Sequence, residues 1–285
     1  MSTKQHFGGA WTVEKLGILS DYLNAYATAL KNKSFKLLYI DAFAGTGRIR
    51  IGDEEKYEEI DGSAKLALMA REHFSEYIFI EKKRTFAAEL RARVDSEFPE
   101  LKDRVTIYRE DCNDVLTKLC ANEDWRTTRA VVFLDPYASE VKWETLKALA
   151  ATQAIDVWYL FPFSTATRMM KKRGEIDPTW RAKLDSIFGD NSWETDLYHE
   201  DNQISMFDDE PAMVRDNDSQ ALKAYIEKRL RSVFPRVSDH SRILYNSRRS
   251  PFFLFCFAVS SKSEAAQNLA LKIADHILKK QISGT

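Results

Sequence analysis

Residues 37–47 read LLYIDAFAGTG. Four apolar or aromatic residues come first, then an acid, then a turn of small residues in which Gly45 and Gly47 stand one residue apart. A short apolar run of this kind suits a strand buried on both faces. Glycines in the turn let the backbone take positive φ and let a ligand approach the main chain. Ligands of open α/β sheets sit beyond the carboxyl ends of the strands. The stretch therefore predicts the first strand of such a sheet and the loop on its ligand-binding edge.

The rest of the chain keeps the same rhythm. Apolar strands are expected at about 37–42, 77–81, 104–108, 129–134 and 155–161, with amphipathic helices at about 62–73, 84–97, 113–121 and 143–151. Strand and helix in strict turn imply right-handed crossovers and a parallel sheet with helices on both faces. The fold class is α/β and Rossmann-like. Before the sheet, Thr12 is a candidate N-cap for a helix carrying Leu16, Leu19, Leu23, Tyr26 and Leu30 on one stripe. After residue 163 the alternation breaks, and 164–217 reads as an inserted helical or irregular subdomain after the fifth strand. A helix at about 218–233 returns the chain to the core. RILYNS and PFFLFCFAV, joined through Arg248, Arg249 and Ser250, predict an antiparallel hairpin, and a helix from Glu264 to Lys279 follows. The organisation expected is a core of 1–163, the insertion 164–217 and a completion of the core by 218–285. Five parallel strands with a late antiparallel hairpin resemble the class I methyltransferase sheet.

Composition narrows the class. Forty-two Lys and Arg against 43 Asp and Glu leave a formal charge of −1, so no overall basic excess points to nucleic acid. A local patch can still supply that attraction. Cys112, Cys120 and Cys256 lack metal-site spacing and read as reduced thiols of a cytoplasmic protein. His6, His73, His199, His240 and His276 are scattered, and no metal site is expected. MSTKQHFGGA has no apolar stretch of a signal peptide, and Phe252 to Val259 is too short to span a bilayer, so no membrane association is expected.

Acidic residues mark successive strand ends. Asp41 closes the first strand beside Phe43, Gly45 and Gly47. Glu81 ends the second, where a carboxylate can accept both hydroxyls of a ribose. Asp111, followed by Cys112, lies past the third, near an adenine, and Asp135 ends the fourth. A dinucleotide fingerprint wants a third glycine and an acid about 20 residues on. Here Gly47 runs into Arg48-Ile49-Arg50, Glu81 lies further away, and there is no GxxxxGK[ST]. S-adenosylmethionine needs no phosphate cradle and suits the loop better.

Asp135-Pro136-Tyr137 resembles the [DNS]PP[YF] signature of amino-group methyltransferases, shortened by one proline. D-x-F-x-G-x-G at residues 41–47 resembles the form found in nucleic-acid methyltransferases. An exocyclic base amine is a weak nucleophile because its lone pair is delocalised. Asp135 and the Pro136 carbonyl could accept its hydrogens, with Tyr137 stacking on a flipped base. Asp-Pro-Tyr is equally a sound turn after a buried strand.

With these residues placed, the chain resembles the three-Cys-motif partner protein family, TcmP, over nearly its whole length. The resemblance rests on W-T-x-x-K-L (Trp11 to Leu16), YIDAFAGTG, Gly62-Ser63-Ala64, FIEK, FLDPY, IDVWYLFPF (Ile155 to Phe163), Asn246-Ser247-Arg248 and LALKIADHIL. It implies a methyltransferase-like fold and a neighbour, a separate three-cysteine radical-SAM-like (Gp37/Gp68-like) protein. Phage-related nucleic-acid modification is a looser implication. In related amino-methyltransferases a segment before the first strand holds the methionine end of the cofactor, a role that falls on Lys15.

For the acceptor, Arg168, Lys171, Lys172 and Arg173 with Trp180 could follow phosphates and stack on a base, as could Arg242, Arg248 and Arg249 near the hairpin. Phe163 and Tyr137 are further candidates. Asp208, Asp209 and Glu210 would repel a nucleic-acid backbone. Two other readings stand beside the nucleic-acid enzyme: an accessory subunit that binds the cofactor without methylating, and a small-molecule methyltransferase.

Overall fold

A computed structural model describes residues 10–53, 56–172, 175–200, 213–215 and 218–280. Helix α1 (Ala10–Leu30) precedes strand β1 (Lys36–Asp41), and a hairpin of β2 (Arg48–Asp53) and β3 (Lys56–Asp61) follows the glycine loop. The alternating core runs α2 (Ser63–Leu68), β4 (Glu76–Ile80), α3 (Arg84–Glu97), β5 (Val105–Tyr108), α4 (Cys112–Asn122), β6 (Thr128–Leu134), α5 (Trp143–Ala151) and β7 (Ile155–Phe161). Helices α6 (Phe163–Met169), α7 (Pro178–Phe188) and α8 (Trp193–Leu197) come next, with a small pair of β8 (Tyr198–Glu200) and β9 (Met213–Arg215). The chain ends with α9 (Ser219–Arg231), β10 (Arg236–Val237), β11 (Arg242–Tyr245), β12 (Pro251–Val259) and α10 (Glu264–Lys280).

The main sheet has the order β5-β4-β1-β6-β7-β12-β10, with β11 also on β12. The first five of these strands are parallel, and β12 runs antiparallel to β7 with Leu254 opposite Phe161. The expected Rossmann-like sheet with its late antiparallel hairpin is therefore what the chain forms. Side chains alternate across it with a period of two. Leu38, Ile40, Val132 and Tyr159 face one layer together with residues of α4 to α9, and Leu37, Tyr39, Phe133, Trp158 and Phe257 face the layer of α1, α3 and α10. Strand β7 is buried at all seven positions, as a central strand between two helical layers must be.

Within the inserted stretch, α6, α7 and α8 bury Phe163, Met169, Leu184, Phe188 and Trp193 against the same face as α4 and α5. Asp177 caps α7 ahead of Pro178, and Gly189 ends it at φ +93°. A Cβ at Gly189 would stand 2.1 Å from Trp143 Cδ1, so the close approach itself requires glycine.

Three expectations change. Thr12 is not a cap: α1 already starts at Ala10, and Thr12 is buried inside it because the apolar stripe reaches back to Trp11. The helix expected over 62–73 stops at Leu68, since the Arg71 N–H donates to the Asn24 side chain of α1 at 2.9 Å rather than continuing the ladder. Residues 48–61, to which the sequence assigned no element, form the β2–β3 hairpin, in which Ile49 stands opposite Ile60 and Arg50 opposite Glu59. Arg173, His6 and the acidic Asp208, Asp209 and Glu210 lie outside the described residues. No described helix is long and apolar enough to cross a membrane.

Candidate functional site

A cleft of about 450 Å³ opens at the carboxyl ends of β1, β4, β5 and β6, a size in the range of small-molecule and cofactor sites. Of the residues singled out in the sequence, Lys15, Phe43, Gly45, Glu81, Asp111, Cys112, Asp135, Pro136 and Tyr137 all line it. Asp41 lies fully buried beneath the floor. Gly47 is turned to the far side of the loop, against Leu90 of α3.

The glycine loop is shaped by its own hydrogen bonds. Of the seven backbone N–H groups from Ala42 to Arg48, six already donate within the protein: to Phe133 O, Asp41 Oδ1, Ile80 O, Glu81 Oε2, Ala44 O and Thr46 Oγ1. A phosphate cradle needs such groups turned outward to the ligand, so this loop is no pyrophosphate nest. Gly45 adopts φ +59°, and a Cβ there would meet no atom within 4 Å, so the glycine leaves open space facing the cleft. At the loop's end the Gly62 N–H donates to Gly47 O at 2.9 Å, and a Cβ on Gly62 would sit 3.0 Å from the Gly47 carbonyl carbon.

Carboxylates dominate the floor. Glu81 accepts from Gly45 N at 3.1 Å and from Lys83 N at 2.7 Å. Asp111 caps α4 through Asn113 N at 3.0 Å. Partial burial raises the Asp111 carboxyl, but its bonds from Asn113 and Lys82 outweigh this and bring it below the usual range. Asp41 is pushed up to about 7 by burial, and Asp135 adds to the rise against the bonds from Ser63 and Phe43 N and the charge of Lys15. Lys15 is buried, with its ammonium paired to Asp135 Oδ2 and 4.8 Å from the centre of the Trp11 ring. The first turns of α1 thus bring the lysine to the Asp-Pro-Tyr strand end rather than to the glycine loop. Burial, then the charges of Asp111 and Glu140, push the Cys112 thiol up to about 12, so it is a neutral wall and no thiolate nucleophile. Tyr137 is about half exposed, and burial with the charges of Glu81, Asp135 and Glu140 raises its hydroxyl.

The donor set fits S-adenosylmethionine. A cationic sulfonium is favoured beside Glu81 and Asp135, whereas phosphates would meet carboxylates and spent amides. Among the described residues no group of three or more His, Cys, Asp or Glu side chains is arranged for a metal ion.

The remaining candidates lie elsewhere. Phe163 is buried at the start of α6, and Arg168, Lys171 and Lys172 are exposed away from the cleft lining. Arg248 and Arg249 are exposed at the β11–β12 tip, with Arg249 at φ +56°. That tip projects beyond the carboxyl end of β7, and Phe253 just after it lines the cleft. Arg242 pairs with Glu14 of α1 at 2.6 Å. Sequence reasoning missed Trp11, Ser63, Lys83, Phe86, Asn113, Glu140, Phe253 and the hairpin residues Arg48, Ile49, Arg50 and Glu59. Of these, only Asn113 carried a local signal, standing two residues after a helix-capping Asp.

No family model and no curated protein matches the sequence. Among solved structures, a Legionella pneumophila protein of family DUF519 is 11% identical, covering 95% of this chain and 94% of that one with a TM-score of 0.49. An O-methyltransferase from Bacillus cereus in complex with SAH is 14% identical over 90% and 83% of the two chains, with a TM-score of 0.42. An S-adenosylmethionine-dependent methyltransferase from Clostridium acetobutylicum is 12% identical over 85% and 91%, with a TM-score of 0.38.

Proposed function

We propose that this chain is an S-adenosylmethionine-dependent methyltransferase acting on an amino group of a DNA or RNA base, and that it belongs with the three-Cys-motif partner proteins. The observation that carries this is the row of carboxylates at four adjacent strand ends, Asp41, Glu81, Asp111 and Asp135, around a glycine loop whose amides are already used. When bound, S-adenosylmethionine supplies an electrophilic methyl group on a positively charged sulfur. The chain's own residues bind and orient. Glu81 holds the ribose and Asp111 the adenine end, while the carboxylates lining the cleft favour the cation. Lys15 engages Asp135 Oδ2 and holds that carboxylate in orientation. Oδ1 and the Pro136 carbonyl accept the hydrogens of the incoming amine, which localises its lone pair. Tyr137 stacks on the base, and Arg248 and Arg249 meet the phosphates beside it. The free cysteines suit a reducing cytoplasm.

One observation favours a second reading, an accessory subunit of a three-cysteine radical-SAM-like (Gp37/Gp68-like) partner. The Lys15 ammonium already occupies one oxygen of the carboxylate that an acceptor amine would use. A chain that keeps this pair closed binds the donor and transfers nothing.

Labelled S-adenosylmethionine incubated with DNA, RNA or cell extract, with and without the three-cysteine neighbour, separates the readings. Label in nucleic acid, abolished by Asp135→Ala while calorimetry still shows cofactor binding, is the expected result. Label in a small molecule moves the acceptor class. Binding without transfer under every condition favours the accessory role, and no binding removes the proposal.

A further inference from the structure

Asn113 is 5% exposed and uses its whole hydrogen-bonding capacity. Its Nδ2 donates to Asp111 Oδ1 at 2.8 Å and to the Glu140 carbonyl at 2.9 Å. Its Oδ1 accepts from Lys142 N at 2.9 Å and from the buried Thr145 hydroxyl at 2.7 Å. Two of these partners lie between residues 135 and 142, the segment that carries Asp135, Pro136 and Tyr137 into α5. A third is the carboxylate at the end of β5. The segment is braced internally as well, since Glu140 Oε2 accepts from Ala138 N at 2.6 Å. One carboxamide thus ties both walls of the cleft together across 27 to 32 residues of chain. In a buried, saturated network of this kind each bond fixes the geometry of the others.

We propose that Asn113 is a positioning residue that couples the donor end of the cleft to the Asp-Pro-Tyr segment, so that a ligand on Asp111 orders the acceptor wall and the acceptor binds second. The inference rests on the reading of this cleft as the methyl-donor site. A ligand that bonds Asp111 favours the state in which that carboxylate is held in place, which is the state with the Asn113 bonds formed. By linkage, ordering residues 135–142 tightens the donor by the same factor.

Hydrogen exchange read by mass spectrometry, with S-adenosylhomocysteine as the probe, tests it without any acceptor. In the wild-type chain the probe slows exchange over 112–122 and also, by about fivefold or more, over 138–146. In Asn113→Ala the slowing over 112–122 persists and that over 138–146 is lost. A merely structural role would raise the basal exchange of 138–146 and leave its response to the probe intact. Thr145→Val, which removes one bond and keeps the side-chain volume, gives a partial loss and serves if the alanine variant fails to fold. Wild-type protection confined to 112–122 overturns the coupling and leaves the donor site standing. A probe that fails to bind in calorimetry overturns the donor reading and the coupling with it.

Discussion

Asp156 lies near the start of β7, 8% exposed, at the end of the sheet away from the cleft. Its Oδ2 accepts the Tyr22 hydroxyl at 2.7 Å. Burial pushes its carboxyl up to about 7, against the opposing effects of that bond and of the Arg129 charge. In the unfolded chain the group returns to about 3.9. Between these values the unfolded chain releases the proton and the folded one keeps it, so the stability contribution falls as pH rises and levels off above 7. A difference of about three pKa units corresponds to about 4 kcal/mol of destabilisation at high pH, of which about 2.5 kcal/mol develops between pH 5 and 8. Asp156→Asn keeps an oxygen for Tyr22 and removes the titration. Urea unfolding followed by circular dichroism at pH 5 and pH 8 measures both chains. The variant should lose about 2.5 kcal/mol less than wild type over that interval, the remaining decline being that of Asp41. Parallel losses in the two chains would refute the assignment of a neutral buried carboxyl to Asp156.

Lys15→Met removes the ammonium paired with Asp135. Transfer should fall by about a hundredfold, with S-adenosylhomocysteine affinity nearly unchanged; undiminished turnover removes Lys15 from orienting the carboxylate. Gly62→Ala drives a Cβ onto the Gly47 carbonyl carbon, 3.0 Å away. Because that neighbour is backbone, the loop must move, and calorimetry should show at least about tenfold weaker cofactor binding. Replacing Arg248 and Arg249 together by Ala should weaken oligonucleotide binding and lower its salt slope by about two. Fluorescence anisotropy across a salt series reads this, and an unchanged slope takes the tip out of the interface.

The helices at 84–97 and 143–151 could be placed from the sequence, and the five parallel strands to within a residue or so, because their apolar spacing is a local property that any burying partner reproduces. The β11–β12 hairpin was legible for the same reason. Strand β10 was not: two residues carry no period, and Arg236 and Val237 pair only because Val259 and Ala258 offer them an edge. The β2–β3 hairpin escaped because charged residues fill more than half of its strand positions and β3 does not alternate, a weaker signal than an apolar face. It is held by Arg48 pairing with Glu97 of α3, and by Lys65 of α2, which bridges Asp61 and the same Glu97, contacts to Glu97 made across 49 and 32 positions of chain.

The opening stretch LLYIDAFAGTG determined the first strand, its loop and the edge on which a ligand would sit, since strand propensity and glycine geometry are written in adjacent residues. Which groups surround that edge was decided by folding alone. Lys15 meets Asp135 across 120 residues, Tyr22 meets Asp156 across 134, and Asn113 draws Asp111 and Glu140 onto one carboxamide. The loop's refusal of a phosphate was also a tertiary result. Its amides are consumed by Phe133, Ile80 and Glu81, which neighbouring strands bring alongside. Spacing within a strand is set by the backbone, whereas the partner of a buried charge or amide is set by strand order and register, which no single segment contains.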